Sequence, residues 1–108
     1  METNMRLDLY KAAAPGGAVE VRRGDDSAVV VAEITDHGAP FDLEGWTAKF
    51  EAVTDSGESV RAACQTDGGR VRFAIPPFSK SGRSKAAYVR LEKDGAVVTT
   101  NDMEVMVL

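Results

Sequence analysis

The chain is poor in the residues that most often carry chemistry. Among 108 residues there is one cysteine, Cys64, and one histidine, His37. A single cysteine closes no intramolecular disulfide, which excludes a disulfide-stapled secreted scaffold. One histidine in a turn and one cysteine in another segment make no zinc site, and no zinc is expected. Basic residues are also in deficit, 13 against 17 acidic, for a net charge of -4. A general phosphate-binding surface needs the opposite balance, so no nucleic-acid partner is expected. No run of about 18 apolar residues exists, so no membrane span is expected. The N-terminal stretch Met1–Arg6 has no basic segment leading into an apolar one, and is not read as a signal peptide. Synthesis in a cytoplasm follows as the expectation.

Helical periodicity is missing too. No segment places apolar residues at i, i+3, i+4 and i+7. What is present is alternation. Met5, Leu7 and Leu9 alternate with polar neighbours, and so do Val19 and Val21. Ala28–Thr35 is apolar on both faces, as a central strand would be. Trp46, Ala48, Phe50 and Ala52 share one face of the next run. Val60–Cys64, Val71–Ile75, Ala87–Leu91, Val97–Thr100 and Met103–Val107 continue the series. Asp, Gly, Ser and Pro clusters separate these runs, among them Asp36-His37-Gly38, Asp55-Ser56-Gly57, Asp67-Gly68-Gly69 and Lys93-Asp94-Gly95. With an apolar fraction of 44%, one packed core is affordable at this length. The reading is all-β: one domain over residues 1–108, an antiparallel immunoglobulin-like β-sandwich of about eight or nine strands. Its core is expected from Leu7, Leu9, Val30, Ala32, Ile34, Trp46, Phe50, Val71, Phe73, Ile75, Val89, Leu91, Val105 and Val107. The first and last strands, at the chain ends, are the expected sheet edges.

Several landmarks occur together in order: Val21-Arg22-Arg23-Gly24-Asp25, then Asp42-Leu43-Glu44-Gly45-Trp46-Thr47, then Gly57, Gly68-Gly69-Arg70-Val71, Gly82, Tyr88-Val89-Arg90-Leu91 and Gly95. From about Met5 to Leu108 the chain resembles the N-terminal domain family of tailed-phage baseplate upper proteins. The resemblance implies a β-sandwich serving as a structural adaptor in a phage tail baseplate. It implies baseplate proteins as partners, a homo-oligomer, and a place in the virion after synthesis in the bacterial host.

Each sharper motif has a plainer reading. Arg23-Gly24-Asp25 spells an integrin-type tripeptide, but a strand-ending turn explains it, with Gly24 at positive φ and Asp25 accepting backbone N–H groups. Asp25, Asp26, Asp36, Asp42, Asp55, Asp67 and Asp94 sit in turns, so calcium is not needed to account for them. Cys64 alternates with Val60 and Ala62 as a small core residue. No phosphate loop, carboxylate pair or nucleophile motif is visible, so neither catalysis nor a cofactor is expected. Lys80, Arg83 and Lys85, in a polar loop Ser79–Ala86, are the one basic concentration and the candidate partner-docking site. A carbohydrate-binding or host-adhesion module, using Trp46, Tyr10 and Tyr88, is the alternative; it requires those aromatics exposed on one surface. A β-barrel enzyme would need a pocket holding His37 or Cys64.

Overall fold

The computed structural model describes residues 2–108; Met1, part of the N-terminal stretch read above, lies outside them. Eleven strands follow in chain order: β1 (Glu2–Asp8), β2 (Ala18–Val21), β3 (Val29–Asp36), β4 (Ala39–Pro40), β5 (Thr47–Thr54), β6 (Ser59–Ala63), β7 (Gln65–Asp67), β8 (Arg70–Ala74), β9 (Gly82–Lys93), β10 (Ala96–Thr99) and β11 (Glu104–Val107). They form two sheets. One has the order β1-β3-β8-β7 with β4 beside β3; the other has β2-β11-β9-β5-β6 with β10 beside β9.

Alternation is what builds the core between them. In β3, Val30, Ala32 and Ile34 are buried while Val29, Val31 and Glu33 are half-buried. In β5, Ala48, Phe50 and Ala52 point inward from the opposite layer. Phe50 stacks on Phe73 of β8 with ring centroids 4.5 Å apart, joining the two sheets at the centre. Two tight turns are legible in the residues that make them. His37 and Gly38 (φ 51° and 85°) link the paired Asp36 and Ala39, and Asp94 and Gly95 (φ 50° and 82°) link Lys93 and Ala96. Positive φ at both central positions is what a two-residue type I′ hairpin demands.

Several expectations are corrected, beginning with the immunoglobulin-like antiparallel sandwich of eight or nine strands: the described residues form eleven strands in a different arrangement. The sheets are mixed, not purely antiparallel: β1 runs parallel to β3, and β11 parallel to β2. The chain leaves β1, forms β2 in the other sheet and returns as β3, and that excursion does the work of a parallel crossover. The last strand is not an edge, because β11 lies between β2 and β9. Leu9 and Trp46 are only half-buried, packed against the core rather than inside it. Leu43, Phe78 and Met103, outside the expected core, are each at most 2% exposed.

β9 organises the second sheet. β5 pairs along its length, while β11 and β10 share its other side. Between these two partners, side chains replace ladder groups. The Val89 N–H donates to Thr100 Oγ1 at 3.0 Å, and the Ala87 N–H donates to Asp102 Oδ1 at 3.2 Å. Near its start, Ser84 and Ala86 pair with the adjacent Thr54 and Val53, which leaves Lys85 as the extra residue of a β-bulge.

Candidate docking surface

That bulge decides where the candidate basic residues point. On simple alternation Arg83 and Lys85 would share the inward face of Ala87 and Val89. The inserted Lys85 rephases the strand, so Arg83 lies across from Met106 on the outer side, and both basic residues are exposed. Gly82–Lys85 is therefore the start of β9 and not part of a loop, which corrects the expected Ser79–Ala86 loop. The polar run hid this strand because the bulge removes its alternation.

Lys80 lies before the strand, in a segment fastened by the β5–β6 hairpin. The Glu58 carboxylate accepts the Ser79 N–H at 2.9 Å, the Ser79 hydroxyl at 3.0 Å and the Lys80 N–H at 3.1 Å. The Ser79 amide, with the Ser79 hydroxyl and Lys80 adding to it, holds the Glu58 carboxyl below its ordinary range. Asp55 Oδ1 accepts the Arg83 N–H at 3.1 Å. The structure thus brings Lys80, Arg83 and Lys85 to one end of the sandwich, together with two acids that sequence reasoning did not associate with them. The signal was available in part: Asp55 and Glu58 flank a hairpin turn, and their free carboxylates need donors.

The sharper motifs resolve into turn chemistry. Asp25 Oδ2 accepts the Arg22 N–H at 3.0 Å, and Gly24 adopts φ 84°. His37 is exposed, with Nδ1 2.8 Å from Asp36 Oδ1 and its ring stacked on Tyr10 at 4.7 Å. Cys64 is half-buried at the junction of β6 and β7, and burial pushes its thiol up to about 12, an unreactive state at neutral pH. Among the described residues, no three His, Cys, Asp or Glu side chains gather as a metal would require. The three aromatics have separate surroundings. Tyr10 packs on His37, Trp46 on Phe41 with Lys93 Nζ 5.9 Å from its ring, and the Tyr88 hydroxyl donates to Glu51 at 3.0 Å. They form no common platform.

The family model of the BppU N-terminal domain, BppU being the baseplate upper protein, matches residues 1–108. The chain belongs to that family. Among solved structures, the N-terminal domain of phage TP901-1 ORF48 is similar with a TM-score of 0.73, covering 98% of this chain and 97% of that one. At 19% identity that likeness speaks for the fold. No curated protein matches the sequence. The BppU N-terminal domain is a structural domain of the phage tail baseplate and not a known enzyme family, which places this chain in a virion tail structure.

One constellation in this BppU N-terminal domain was not anticipated. Asp8, at the end of β1, accepts the Thr35 hydroxyl at 2.6 Å and the N–H groups of Tyr10, Gly38 and His37 at 2.7, 2.8 and 2.9 Å. The Thr35 hydroxyl first, then these amides, hold its carboxyl well below the usual range. Asp8 ties the β3–β4 turn to the end of β1. Its clue in the sequence is an Asp inside an alternating run with no Gly or Ser beside it.

Proposed function

We propose that this chain is a structural adaptor of a phage tail baseplate that docks onto neighbouring baseplate proteins through sheet edges and end loops, without catalysis. The family match from residue 1 to residue 108 carries this reading. The chain acts as one domain over that span, is made in the bacterial cytoplasm and ends in the virion. Lys80, Arg83 and Lys85 supply electrostatic registry toward an acidic neighbour, because exposed charges steer encounter more than they add affinity. Asp55 and Glu58 beside them temper the field. The test is capture: the purified chain as bait against baseplate proteins of a phage-producing lysate. Recovery of baseplate proteins supports the reading. Recovery of none, with tight binding to a polysaccharide array, transfers the case to a carbohydrate-binding module.

A further inference from the structure

Charged residues that face each other across neighbouring strands are matched in sign, with one exception. Arg6 stands opposite Glu33, Glu33 opposite Arg70, Arg70 opposite Asp67, and Glu51 opposite Arg61. Opposite charges set about 5 Å apart in this way support a sheet, and like charges weaken it. Lys49 of β5 and Arg90 of β9 also stand opposite each other, and among the described residues they are the one such pair of like sign. Both lie on the outer face, because their neighbours Ala48, Phe50, Val89 and Leu91 fill the core.

The chain does not compensate this pair. In the same row across the sheet, the residue beyond Lys49 is Ala63 and the residue beyond Arg90 is Thr99. Two residues along β5, Glu51 has both oxygens engaged: Oε1 accepts the Tyr88 hydroxyl at 3.0 Å, and Oε2 lies 3.8 Å from Arg61 Nε. Two residues along β9, the exposed Glu92 stands between Thr47 and Val97. The ion pairs among the described residues include neither Lys49 nor Arg90, although Arg90 is half-buried. A local rule broken without a gain inside the chain marks a place where the gain comes from outside it.

We propose that Lys49 and Arg90 receive a carboxylate from a neighbouring protein, seated between the ammonium and the guanidinium. The inference rests on the docking reading above and adds a contact on the sheet face to the edges and loops named there. A guanidinium holds a carboxylate through two parallel N–H bonds, and the ammonium adds a point charge beside it. The surroundings select a protein as the donor. Glu51 and Glu92 bracket the pair along the strands, in a chain of net charge -4. A phosphate polymer following this face would meet an acid on either side of the two cations, whereas its binding needs a continuous basic track. A polypeptide can present one Asp or Glu with neutral or basic residues beside it.

Two variants of equal net charge separate this site from the general field. Lys49→Glu turns the like pair into an opposite one, and Arg61→Glu turns the opposite pair with Glu51 into a like one. In the isolated chain Lys49→Glu should raise the thermal midpoint by about 2–4 °C, and Arg61→Glu should lower it. Docking should follow the other order. With the chain as bait and the baseplate proteins of a phage-producing lysate as prey, identified by mass, Lys49→Glu should retain roughly tenfold less than the parent. Arg61→Glu and Lys49→Arg should retain as much as the parent. Greater stability joined to weaker docking is a combination that a structural role alone does not produce. A midpoint unchanged or lowered in Lys49→Glu overturns the proposal, and so does retention equal to the parent's or an equal loss in Arg61→Glu; these results leave the docking reading standing. A parent that retains no baseplate protein overturns both. Binding of inorganic polyphosphate by the parent, lost in Lys49→Glu, overturns the choice of a protein and assigns the pair to a phosphate polymer.

Discussion

Asp8 and Asn101 exchange main-chain and side-chain hydrogen bonds across the two layers, Asp8 N–H to Asn101 Oδ1 at 2.8 Å and Asn101 N–H to the Asp8 carbonyl at 2.7 Å. Asn101 Nδ2 also donates to the Ala14 carbonyl at 2.7 Å, so one buried amide joins β1, the segment before β2 and the link between β10 and β11. Asn101→Ala leaves the Asp8 N–H without a partner in a buried place. The expected loss is about 1–3 kcal/mol, the usual cost of orphaning a buried polar group. Urea unfolding of parent and variant measures it; equal midpoints at equal slopes would contradict the role given to this amide.

The Asp8 carboxylate adds a pH dependence of fixed sign. Its folded pKa lies below its unfolded one, held there by the Thr35 hydroxyl and three backbone amides. A depressed acid contributes its stability in full above the unfolded value of about 3.9 and loses it as pH falls through the folded one. Glu58 acts in the same direction. Stability should therefore fall from about pH 5 downward, and Asp8→Asn should flatten that acid limb. Unfolding midpoints of parent and variant from pH 7 to pH 2.5 decide it, and identical acid limbs would remove Asp8 from the account.

Phe50 and Trp46 fall on one face of the sequence alternation, yet only one is load for the core. Phe50 is 0% exposed and stacked on Phe73, so Phe50→Ala should cost about 3–5 kcal/mol, a large part of a typical domain's roughly 5–15. Trp46 is half-buried beside Phe41 and Lys93. As the one tryptophan it reports alone, and its native fluorescence should be quenched by acrylamide, though less than in the unfolded chain. Native emission insensitive to acrylamide would return Trp46 to the core.

The contrast between those two rings shows how far the sequence speaks. Period-2 alternation identified the faces of β5 and of the Ala87–Leu91 part of β9, whereas β3, apolar on both faces, gave no such contrast; Asp-Gly and His-Gly marked two turns, because that signal is local. Strand direction was not legible: alternation is identical whether the neighbour runs parallel or antiparallel, so the β1–β3 and β2–β11 pairs read as antiparallel. Trp46 stands just outside β5, half-buried against Phe41. The start of β9 looked like a loop because the Lys85 bulge interrupts its pattern. Asp8 stayed unremarked because its donors come from residues up to 30 positions away.

Lys80, Arg83 and Lys85 should steer docking rather than hold it. All three side chains are exposed, so their replacement leaves the core untouched. Two carboxylates stand with them: Glu58 fastens the Ser79–Lys80 backbone, and Asp55 accepts the Arg83 N–H. Three positive charges against two negative ones give a weaker field than the basic residues alone suggest. Changing Lys80, Arg83 and Lys85 together to Glu reverses that balance. Association with a captured baseplate partner should slow roughly tenfold in low salt, since exposed interfacial charge acts mainly on the encounter rate. Ionic strength near 0.5 M shortens the screening length to about 4 Å, and the difference should shrink accordingly. Dissociation rates should change little. Surface plasmon resonance at both salt levels separates the terms: a slowed on-rate that recovers in salt supports steering by this end of the sandwich. An unchanged on-rate means that the docking surface lies elsewhere. A loss confined to the off-rate means that these side chains are in direct contact with the partner.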